Sequence, residues 1–245
     1  MKILVTGGAG FIGSHVVDAY IDAGHDVVVI DDLSTGKREN LNKKARFYDA
    51  DITNEEELES IFIIEKPDIV NHHAAQVDVN YSITHPKEDA EINVVGTINL
   101  LKLSAEHGVK RFIFASSAAV YGGHEPGEKG LKEDLPPLPL SPYGISKHAA
   151  EEYVKAYASL CGMNYIIFRY PNVYGPRQKS GDGGVIVIFT QHMTNGEDVT
   201  IFGNGHQTRD FLFVKDAARE NVTALEAGIG TLNIGTGRAT SINDL

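Results

Sequence analysis

The chain has 245 residues, of which 42% are hydrophobic, and its formal net charge is -11. The length permits one buried core or one and a fraction, and the acidic balance excludes nucleic acid and anionic membrane surfaces as general partners. A single cysteine rules out an internal disulfide, and no apolar run is long enough for a signal peptide or a transmembrane helix, so we expect a cytoplasmic protein.

The first predicted unit is a strand, a glycine-rich turn and a helix. The apolar residues 2–6 lead into Gly7-Gly8-Ala9-Gly10-Phe11-Ile12-Gly13, and apolar residues at helical spacing follow. Such glycines permit a tight turn, close approach of the backbone to a pyrophosphate and close packing of helix on strand. The N–H groups at the start of the helix would face the anion. We predict a dinucleotide site, with a purely structural turn as the alternative.

Two carboxylates stand where a dinucleotide site needs one. Residues 27–30 form a second apolar strand, and Asp31 and Asp32 follow it, 18 and 19 residues past Gly13. A carboxylate at this point accepts hydrogen bonds from the ribose hydroxyls and repels a 2′-phosphate, which favours NAD over NADP. Lys37 and Arg38 lie nearby and are the residues that would oppose this preference.

The alternation of strands and helices continues with a strand at 46–48, a helix at about 54–64 and a strand at 68–71, as a parallel sheet requires. Asp51 and Ile52 follow the third strand. They would flank the adenine, or they would belong to the N-cap region of the next helix, and the pattern leaves both interpretations open.

The fourth strand ends in His72-His73-Ala74-Ala75-Gln76. Adjacent residues of a strand point to opposite faces, so the two histidines cannot share one metal ion, and we expect each to form local hydrogen bonds. The small side chains of Ala74 and Ala75 let the middle of the cofactor approach the backbone. A helix over about 87–107 follows, and Gly96 inside it indicates close packing.

A fifth strand, at 111–115, leads into Ser116-Ser117-Ala118-Ala119-Val120-Tyr121-Gly122. Open parallel sheets bind ligands at the carboxyl ends of their strands, which makes the Ser117 hydroxyl a candidate site group. Residues 122–139 are rich in glycine, proline and charge, and they predict a surface loop over the site.

The segment Ser141-Pro142-Tyr143-Gly144-Ile145-Ser146-Lys147 places a phenol and an ammonium four residues apart, on one face of a helix. A cation close to Tyr143 favours the phenolate and would make it a base near neutral pH. The chain has ten tyrosines, so this spacing alone can arise by chance as an exposed helical pair.

Together with Asn93, these motifs resemble those of the extended short-chain dehydrogenases/reductases, and most of all the nucleotide-sugar epimerases typified by UDP-glucose (UDP-galactose) 4-epimerase. The resemblance extends over essentially the whole chain. It implies an α/β fold with a doubly wound parallel sheet (a Rossmann fold), a resident NAD, Tyr143 as base, Lys147 as its electrostatic partner and nicotinamide-ribose ligand, and the Ser117 hydroxyl near the sugar.

The resemblance also discriminates between reactions. The related dehydratases and decarboxylases carry an acidic residue just before the Val-Tyr-Gly sequence, where this chain has Ala118-Ala119. We therefore expect reversible epimerisation at C4 of a UDP-hexose through a 4-keto intermediate. The alternatives are another NAD-dependent nucleotide-sugar epimerase or dehydratase, and a non-catalytic NAD-binding module.

After a sixth strand at 165–168, the resemblance places Pro171 against the nicotinamide and Asn172 against the sugar nucleotide. A helix at 185–193 would present backbone N–H groups to a diphosphate. Segments around Phe202 and Arg209 resemble those that bracket uracil and diphosphate. The guanidinium of Arg209 suits phosphate, with a surface ion pair to Asp210 or Asp216 as the alternative.

The predicted cofactor positions are Gly7, Gly10, Phe11, Ile12, Gly13, Asp31, Asp32, Asp51, Ile52, Ala74, Ala75, Gln76, Asn93, Tyr143, Lys147 and Pro171. The predicted substrate positions are Ser117, Ala118, Tyr143, Asn172, Val185, Phe202 and Arg209. We expect no metal ion.

We predict a dinucleotide-binding domain over residues 1–170 and a partial nucleotide-sugar region over 171–245, from which some segments return to the first domain. A helix is expected at 214–227, a short strand at 232–235, and Ser241 as the N-cap of a last helix. Helices 87–107 and 143–161 have spare apolar positions, as the homodimer interface of the family would require.

Overall fold

The computed structural model describes residues 1–124, 130–179 and 184–245. The central parallel sheet contains β1 (Lys2–Thr6), β2 (Asp26–Ile30), β3 (Arg46–Tyr48), β4 (Ile69–His72), β5 (Arg111–Ser117), β6 (Asn164–Tyr170) and β10 (Gly230–Asn233). Their order across the sheet is β10-β6-β5-β4-β1-β2-β3. The direction of chain progression reverses between β1 and β4, and ligands of such sheets bind in the crevice at this point.

Helices cover both faces of the sheet. The helices of the described residues are α1 (Phe11–Asp22), α2 (Glu55–Glu65), α3 (Val79–Thr84), α4 (Pro86–Ala90), α5 (Gly96–Glu106), α6 (Pro142–Cys161), α7 (Val185–Asn195) and α8 (Val214–Thr223), of which α1, α2, α5, α6 and α8 contribute to the cores against the sheet. One core lies between the sheet and α1 and α8, and the other lies between the sheet and α2, α5 and α6. Strands buried on both faces are apolar throughout. The doubly wound α/β prediction is confirmed.

The predicted helix over 87–107 is not one regular helix. It consists of α4, a π-helical turn at Glu91–Val95 and α5. The close packing expected at Gly96 is confirmed, because a Cβ atom there would lie 2.6 Å from Cδ1 of Ile52.

Element ends differ from the sequence prediction in the last third of the chain. Helix α8 ends at Thr223 instead of continuing to residue 227. The guanidinium of Arg111 binds the carbonyls of Ala224, Ala227 and Gly228 at 2.6, 3.0 and 3.2 Å, so these carbonyls beyond the end of α8 are satisfied by a side chain. The next strand, β10, begins and ends two residues earlier than the predicted strand at 232–235.

Some elements after residue 170 join the central sheet and its helices, and others form two small sheets of their own. Helix α8 packs on α1, and β10 pairs with β6 at the edge of the central sheet. The short strands β7 (Asn172–Tyr174) and β9 (Phe211–Phe213) pair with each other, as do β8 (Thr208–Arg209) and β11 (Thr240–Ser241). Ser241 caps a 3₁₀ turn, not a full helix.

The surface loop predicted over 122–139 is closed at its base by backbone hydrogen bonds between Gly123 and Leu138 and between Leu138 and Val120. Residues 125–129 of this loop lie outside the described ranges. None of the helices in the described part of the chain combines the length and apolar character needed to cross a bilayer.

Candidate active site

A cavity of about 770 Å³ lies at the carboxyl ends of the central strands. Fifteen of the sixteen predicted cofactor positions line it, namely Gly7, Gly10, Phe11, Ile12, Gly13, Asp31, Asp32, Asp51, Ile52, Ala74, Ala75, Gln76, Tyr143, Lys147 and Pro171. The substrate positions Ser117 and Asn172 line it as well. The fold thus brings together residues from seven separate stretches of the chain.

The glycine-rich turn has the shape that pyrophosphate binding requires. Gly7 has a φ of 69°, and a Cβ atom on it would lie 2.6 Å from the backbone nitrogen of Ala74. A Cβ atom on Gly13 would overlap the carbonyl oxygen of Gly7. Because no side chain caps the start of α1, its first N–H groups remain available to an anion.

Asp31 is held by the backbone on both sides. Its two carboxylate oxygens accept hydrogen bonds from the N–H groups of Ala9 and Leu33, each at 2.9 Å. Burial raises the pKa of this carboxyl, and the two backbone hydrogen bonds oppose that shift. The carboxylate is therefore fixed in orientation at the end of β2, where a ribose would reach it.

Neither basic residue that would favour a 2′-phosphate lines the cavity. Lys37 pairs with Glu39 at 3.1 Å, and Arg38 pairs with Asp49 at 2.8 Å. Both cations are thus directed to local carboxylates, which supports the preference for NAD.

Asp51 and Ile52 lie both at the cavity and at the start of α2, so the contact with the adenine stays a prediction beside the N-cap interpretation. Both residues line the cavity. The Asp51 carboxylate also accepts a hydrogen bond from Thr53 N–H, and Asn54 caps α2 by accepting from Glu57 N–H.

The two histidines after β4 differ. The imidazole of His72 lies 2.7 Å from the Thr6 hydroxyl and 3.0 Å from the Thr97 hydroxyl, as expected of a local hydrogen-bonding residue. The same expectation is wrong for His73, whose buried ring nitrogens have no hydrogen-bond partner among the described residues. Burial, and then the charge of Lys147, lower the pKa of His73 to about 3. His73 is therefore a neutral ring in the cavity wall.

No three His, Cys, Asp or Glu side chains within residues 1–124, 130–179 and 184–245 are grouped so as to hold a metal ion.

Asn93 lies behind the cavity wall. Its side chain accepts a hydrogen bond from Gln76 N–H at 2.9 Å and donates to the Gln76 carbonyl at 3.0 Å and the Ser146 hydroxyl at 3.2 Å. It does not line the cavity. In this structure Asn93 ties the loop after β4 to α6, and the π-helical turn presents it for that contact.

Three neighbours fix the start of α6, which carries the predicted base. The Ser141 hydroxyl caps the helix by accepting from Gly144 N–H at 3.1 Å, and Ser82 accepts from Tyr143 N–H at 3.1 Å. A Cβ atom on Gly144 would lie 2.7 Å from the Ala119 carbonyl oxygen. Gly144 therefore lets the turn after Ser117 close against α6, a requirement that the sequence pattern did not reveal.

The electrostatics of Tyr143 differ from the sequence prediction. Burial raises its pKa to about 12, a hydrogen bond with Ser117 lowers it, and the charge of Asp89 raises it. In the chain alone the loss of hydration therefore opposes the phenolate, and the role of Tyr143 as the base stays a prediction.

The ammonium of Lys147 is buried in the wall of the cavity that Tyr143 also lines. Its Nζ donates to the Ala115 carbonyl at 3.0 Å and lies 4.9 Å from the ring centre of Phe114. Burial lowers the pKa of Lys147 to about 8, against the charges of Asp89 and Glu151. Lys147 is thus still largely protonated at neutral pH.

A buried ion pair next to this site was not predicted. Glu151 and Arg169 form two hydrogen bonds, at 2.9 and 2.6 Å, and Ser116 donates to the same Glu151 carboxylate at 2.6 Å. Arg169 also donates to the Tyr121 hydroxyl at 2.8 Å. This group fixes the end of β5 against α6. The spacing of Glu151 four residues after Lys147 points to a pair within α6, so no signal in the sequence indicated the pair with Arg169.

A second cavity, of about 310 Å³, adjoins the first at Asn172 and contains the predicted substrate positions Val185, Phe202 and Arg209. Arg209 forms no ion pair within the described ranges. Asp216 pairs instead with Arg219, and Asp210 accepts hydrogen bonds from residues 236 and 237. Nη1 of Arg209 donates to the Thr208 carbonyl at 2.7 Å, and the other guanidinium N–H groups are available to a ligand. The predicted substrate position Ala118 lies in a 3₁₀ turn and lines neither of these two cavities.

Comparisons with a family model, with relatives in sequence and with solved structures all lead to the same family. The model of the NAD dependent epimerase/dehydratase family matches residues 3–235. The UDP-glucose 4-epimerase of Mycolicibacterium smegmatis is 41% identical, over 100% of this chain and 80% of its own length.

Two solved structures have the same fold as this chain. The UDP-glucose 4-epimerase of Thermotoga maritima with UDP-glucose has a TM-score of 0.94 and 47% identity, over 100% of this chain and 80% of that one. The UDP-glucose 4-epimerase of Thermus thermophilus in complex with NAD has a TM-score of 0.94 and 40% identity, over 99% and 80%. The chain belongs to the NAD-dependent epimerase/dehydratase family.

Proposed function

We propose that the chain catalyses the reversible inversion of C4 of a UDP-hexose, interconverting UDP-galactose and UDP-glucose, with NAD as its resident cofactor. The observation that carries this proposal is the convergence of Tyr143, Lys147 and Ser117 in one cavity that also contains the pyrophosphate turn. That cavity adjoins the smaller one at Asn172, so cofactor and sugar nucleotide would meet at the phenol. The similar proteins named above act as UDP-glucose 4-epimerases.

The residues of the cavity fit NAD. The turn around Gly7 would hold the pyrophosphate, the Asp31 carboxylate would accept hydrogen bonds from the adenosine ribose, and Ala74 would leave room for the middle of the molecule. Bound there, NAD would supply the acceptor and donor of the hydride at C4 and a positive charge that would favour the Tyr143 phenolate.

The chain itself moves one proton. Tyr143 accepts the proton of the 4-hydroxyl and later returns it, while the Ser117 hydroxyl hydrogen-bonds the same region of the sugar. Protonated Lys147 stabilises the phenolate by its charge. The planar 4-keto sugar must turn over before reduction, which is the step that makes the reaction an epimerisation.

The turn at residues 118–120 favours epimerisation over elimination of water, because Ala118 and Ala119 carry no acid. Two other carboxyls of the cavity wall are already engaged. Asp78 caps α3, and Glu88 accepts the Tyr81 hydroxyl at 2.8 Å.

Incubation with UDP-galactose and no added reductant tests the function. We expect UDP-glucose of unchanged mass and a loss of about 10²–10⁴-fold in turnover for Tyr143→Phe. Loss of the mass of water would show a dehydratase instead. Binding of NAD without any sugar nucleotide would show a non-catalytic module, and full turnover by Tyr143→Phe would contradict the assignment of the base.

We further propose the division into a cofactor-binding domain over 1–170 and a substrate region over 171–245. It is supported by the positions of the two cavities: residues 1–170 supply most of the wall of the larger one, and residues 172–242 supply the wall of the smaller one. Helix α8 and β10 belong structurally to the first unit.

A homodimer through α6 is also proposed. Ile145, Tyr153 and Leu160 are 56%, 42% and 83% exposed, and their spacing of eight and seven residues puts them on one side of that helix. A second copy would bury this apolar side. Sedimentation that shows only monomer would contradict the proposal.

We place the protein in the cytoplasm, since one cysteine in 245 residues suits a reducing compartment. Cell fractionation followed by immunodetection would test the location.

A further inference from the structure

Asp89 on α4 is a fully buried carboxylate, and only one of its two oxygens accepts hydrogen bonds. One oxygen accepts from Gln76 Nε2 at 2.8 Å and from Asn93 Nδ2 at 3.2 Å. Its other oxygen has no partner among the described residues, and Asp89 as a whole is 0% exposed. Buried carboxylates are costly unless a positive charge or further hydrogen bonds compensate them, and the oxygen without a partner points to compensation by a nearby cation.

The contacts of Asp89 lead towards the catalytic turn of α6. Asn93 donates both to Asp89 and to the Ser146 hydroxyl, and Ser146 in turn donates to the Tyr143 carbonyl at 3.0 Å. Helix α4 packs directly against α6. Asp89 is thus held in place against the segment that carries Tyr143 and Lys147.

The buried charges around Lys147 identify its balancing group. Glu151 faces Lys147 from the next turn of α6, but both of its oxygens are bound by Arg169, so these two charges compensate each other. Lys147 itself donates to a neutral carbonyl, at residue 115. Lys147 forms no direct ion pair in the described part of the chain, and Asp89, buried on the helix that packs against α6, is the other carboxylate whose charge acts on the ammonium.

The other titratable groups around Lys147 do not change this balance. His72 and His73 face it from β4, and burial, together with the charge of Lys147, lowers the pKa of each so that both are neutral. Tyr143 lies one turn away on α6 and is neutral, since burial raises its pKa. Tyr170, at the end of β6, is neutral for the same reason.

We propose that Asp89 is the buried counter-ion of Lys147 and a positioning residue of the active site. It keeps the ammonium charged in a wall from which water is excluded, while its hydrogen bonds to Gln76 and Asn93 hold the loop after β4 against α6. The consequence for turnover rests on the proposed function, because protonated Lys147 supports the Tyr143 phenolate.

The test compares Asp89→Asn with Glu91→Gln in the full chain with its bound cofactor. Both variants remove one carboxylate from the same stretch, but Glu91 is exposed. The pKa of Lys147 is measured by NMR of ¹³Cε-labelled lysine, with the resonance assigned by its loss in Lys147→Arg. We expect Asp89→Asn to lower this pKa by about one unit or more and Glu91→Gln to leave it within about 0.3 unit.

The pH dependence of turnover is a second measurement on the same two variants. The alkaline limit of turnover should move to lower pH in Asp89→Asn and stay in place in Glu91→Gln. A Lys147 pKa that is unchanged in Asp89→Asn overturns the proposal even if the enzyme is an epimerase. A lowered pKa in a protein without epimerase activity upholds the counter-ion and refutes only the proposed function.

A double-variant cycle covers the case in which Asp89→Asn does not fold. Removing one charge of a buried pair leaves the other uncompensated, whereas removing both does not. The double variant Asp89→Asn with Lys147→Met should therefore fold even where Asp89→Asn alone does not, with a urea midpoint no lower than that of Lys147→Met. A double variant that also fails to fold, or whose midpoint lies below that of Lys147→Met, would overturn the proposal.

Discussion

The two ends of the ligand-binding region are built differently. At the cofactor end, the turn around Gly7 and Gly13 is made of backbone packed on backbone, and Asp31 is 6% exposed and bound by two N–H groups. At the substrate end, α7 has no buried residue, Phe202 is 82% exposed, and Arg209 is exposed. The first end is part of the folded core, and the second is a set of side chains on its surface.

This difference predicts how each end responds to substitution. Because the cofactor end shares its contacts with the core, a change there should lower both NAD affinity and the free energy of unfolding. A change at the substrate end should raise the KM for the sugar nucleotide and leave stability unaltered.

The largest effect is expected from Gly13→Val. The new side chain would overlap the carbonyl of Gly7, and overpacking of this kind costs about 1–3 kcal/mol or more. We expect a clear fall in the urea midpoint and at least about a tenfold loss of NAD affinity by titration. The control is Gly162→Asn, at a C-cap with a φ of 71° and open space around it. A stable Gly13→Val protein that binds NAD normally would refute this view of the cofactor end.

Ser117→Ala probes the point where the two ends meet. Removing a hydroxyl that contacts the reacting region should lower kcat by about 10²–10³-fold. The Ser117 hydroxyl also accepts one hydrogen bond from Ala119 N–H at 3.1 Å, so a loss of about 1 kcal/mol in stability should accompany it. Ser60→Ala, on the exposed side of α2, is the control for both measurements. Unchanged kcat in Ser117→Ala would remove Ser117 from the catalytic group.

The sequence predicts the cofactor end well because its determinants are local. Glycines at fixed spacing, a carboxylate at the end of β2 and small residues after β4 each follow a strand, and parallel strands bring their carboxyl ends together. The cavity accordingly contains almost every predicted position. Asn93 is the exception, because the π-helical turn that aims it at Gln76 has no clear signature in the pattern of apolar residues.

What the sequence did not predict depends on contacts between distant segments. The Glu151–Arg169 pair joins α6 to β6, and Arg111 binds the carbonyls beyond the end of α8 from more than a hundred residues away in the chain. The raised pKa of Tyr143 is of the same kind, since burial is a property of the assembled site. Periodicity describes which face of an element is apolar, but not which polar groups meet across elements.

Arg209→Ala should show the behaviour of the substrate end. A guanidinium that binds a diphosphate contributes about 1.5–3 kcal/mol, so the KM for UDP-galactose should rise about tenfold to hundredfold with little change in kcat. The urea midpoint should not move, because the side chain is exposed. Arg219→Ala removes a guanidinium that is bound to Asp216 on α8 and should leave KM unchanged. Equal effects of the two variants would mean that the smaller cavity does not bind the diphosphate.

Phe202→Ala should give the smallest change in KM, and it distinguishes most clearly between an end that only binds ligand and one that also stabilises the fold. A ring that stacks on a base contributes about 1 kcal/mol or slightly more, which corresponds to about a fivefold rise in the KM for UDP-galactose. Stability should change by less than about 0.5 kcal/mol, because the ring is already 82% exposed without the nucleotide. Ile64→Ala, at a side chain 66% exposed on α2, should be silent in both measurements. If Phe202→Ala instead lowers the urea midpoint and leaves KM unchanged, the ring packs within the fold, and the substrate end is then built like the cofactor end.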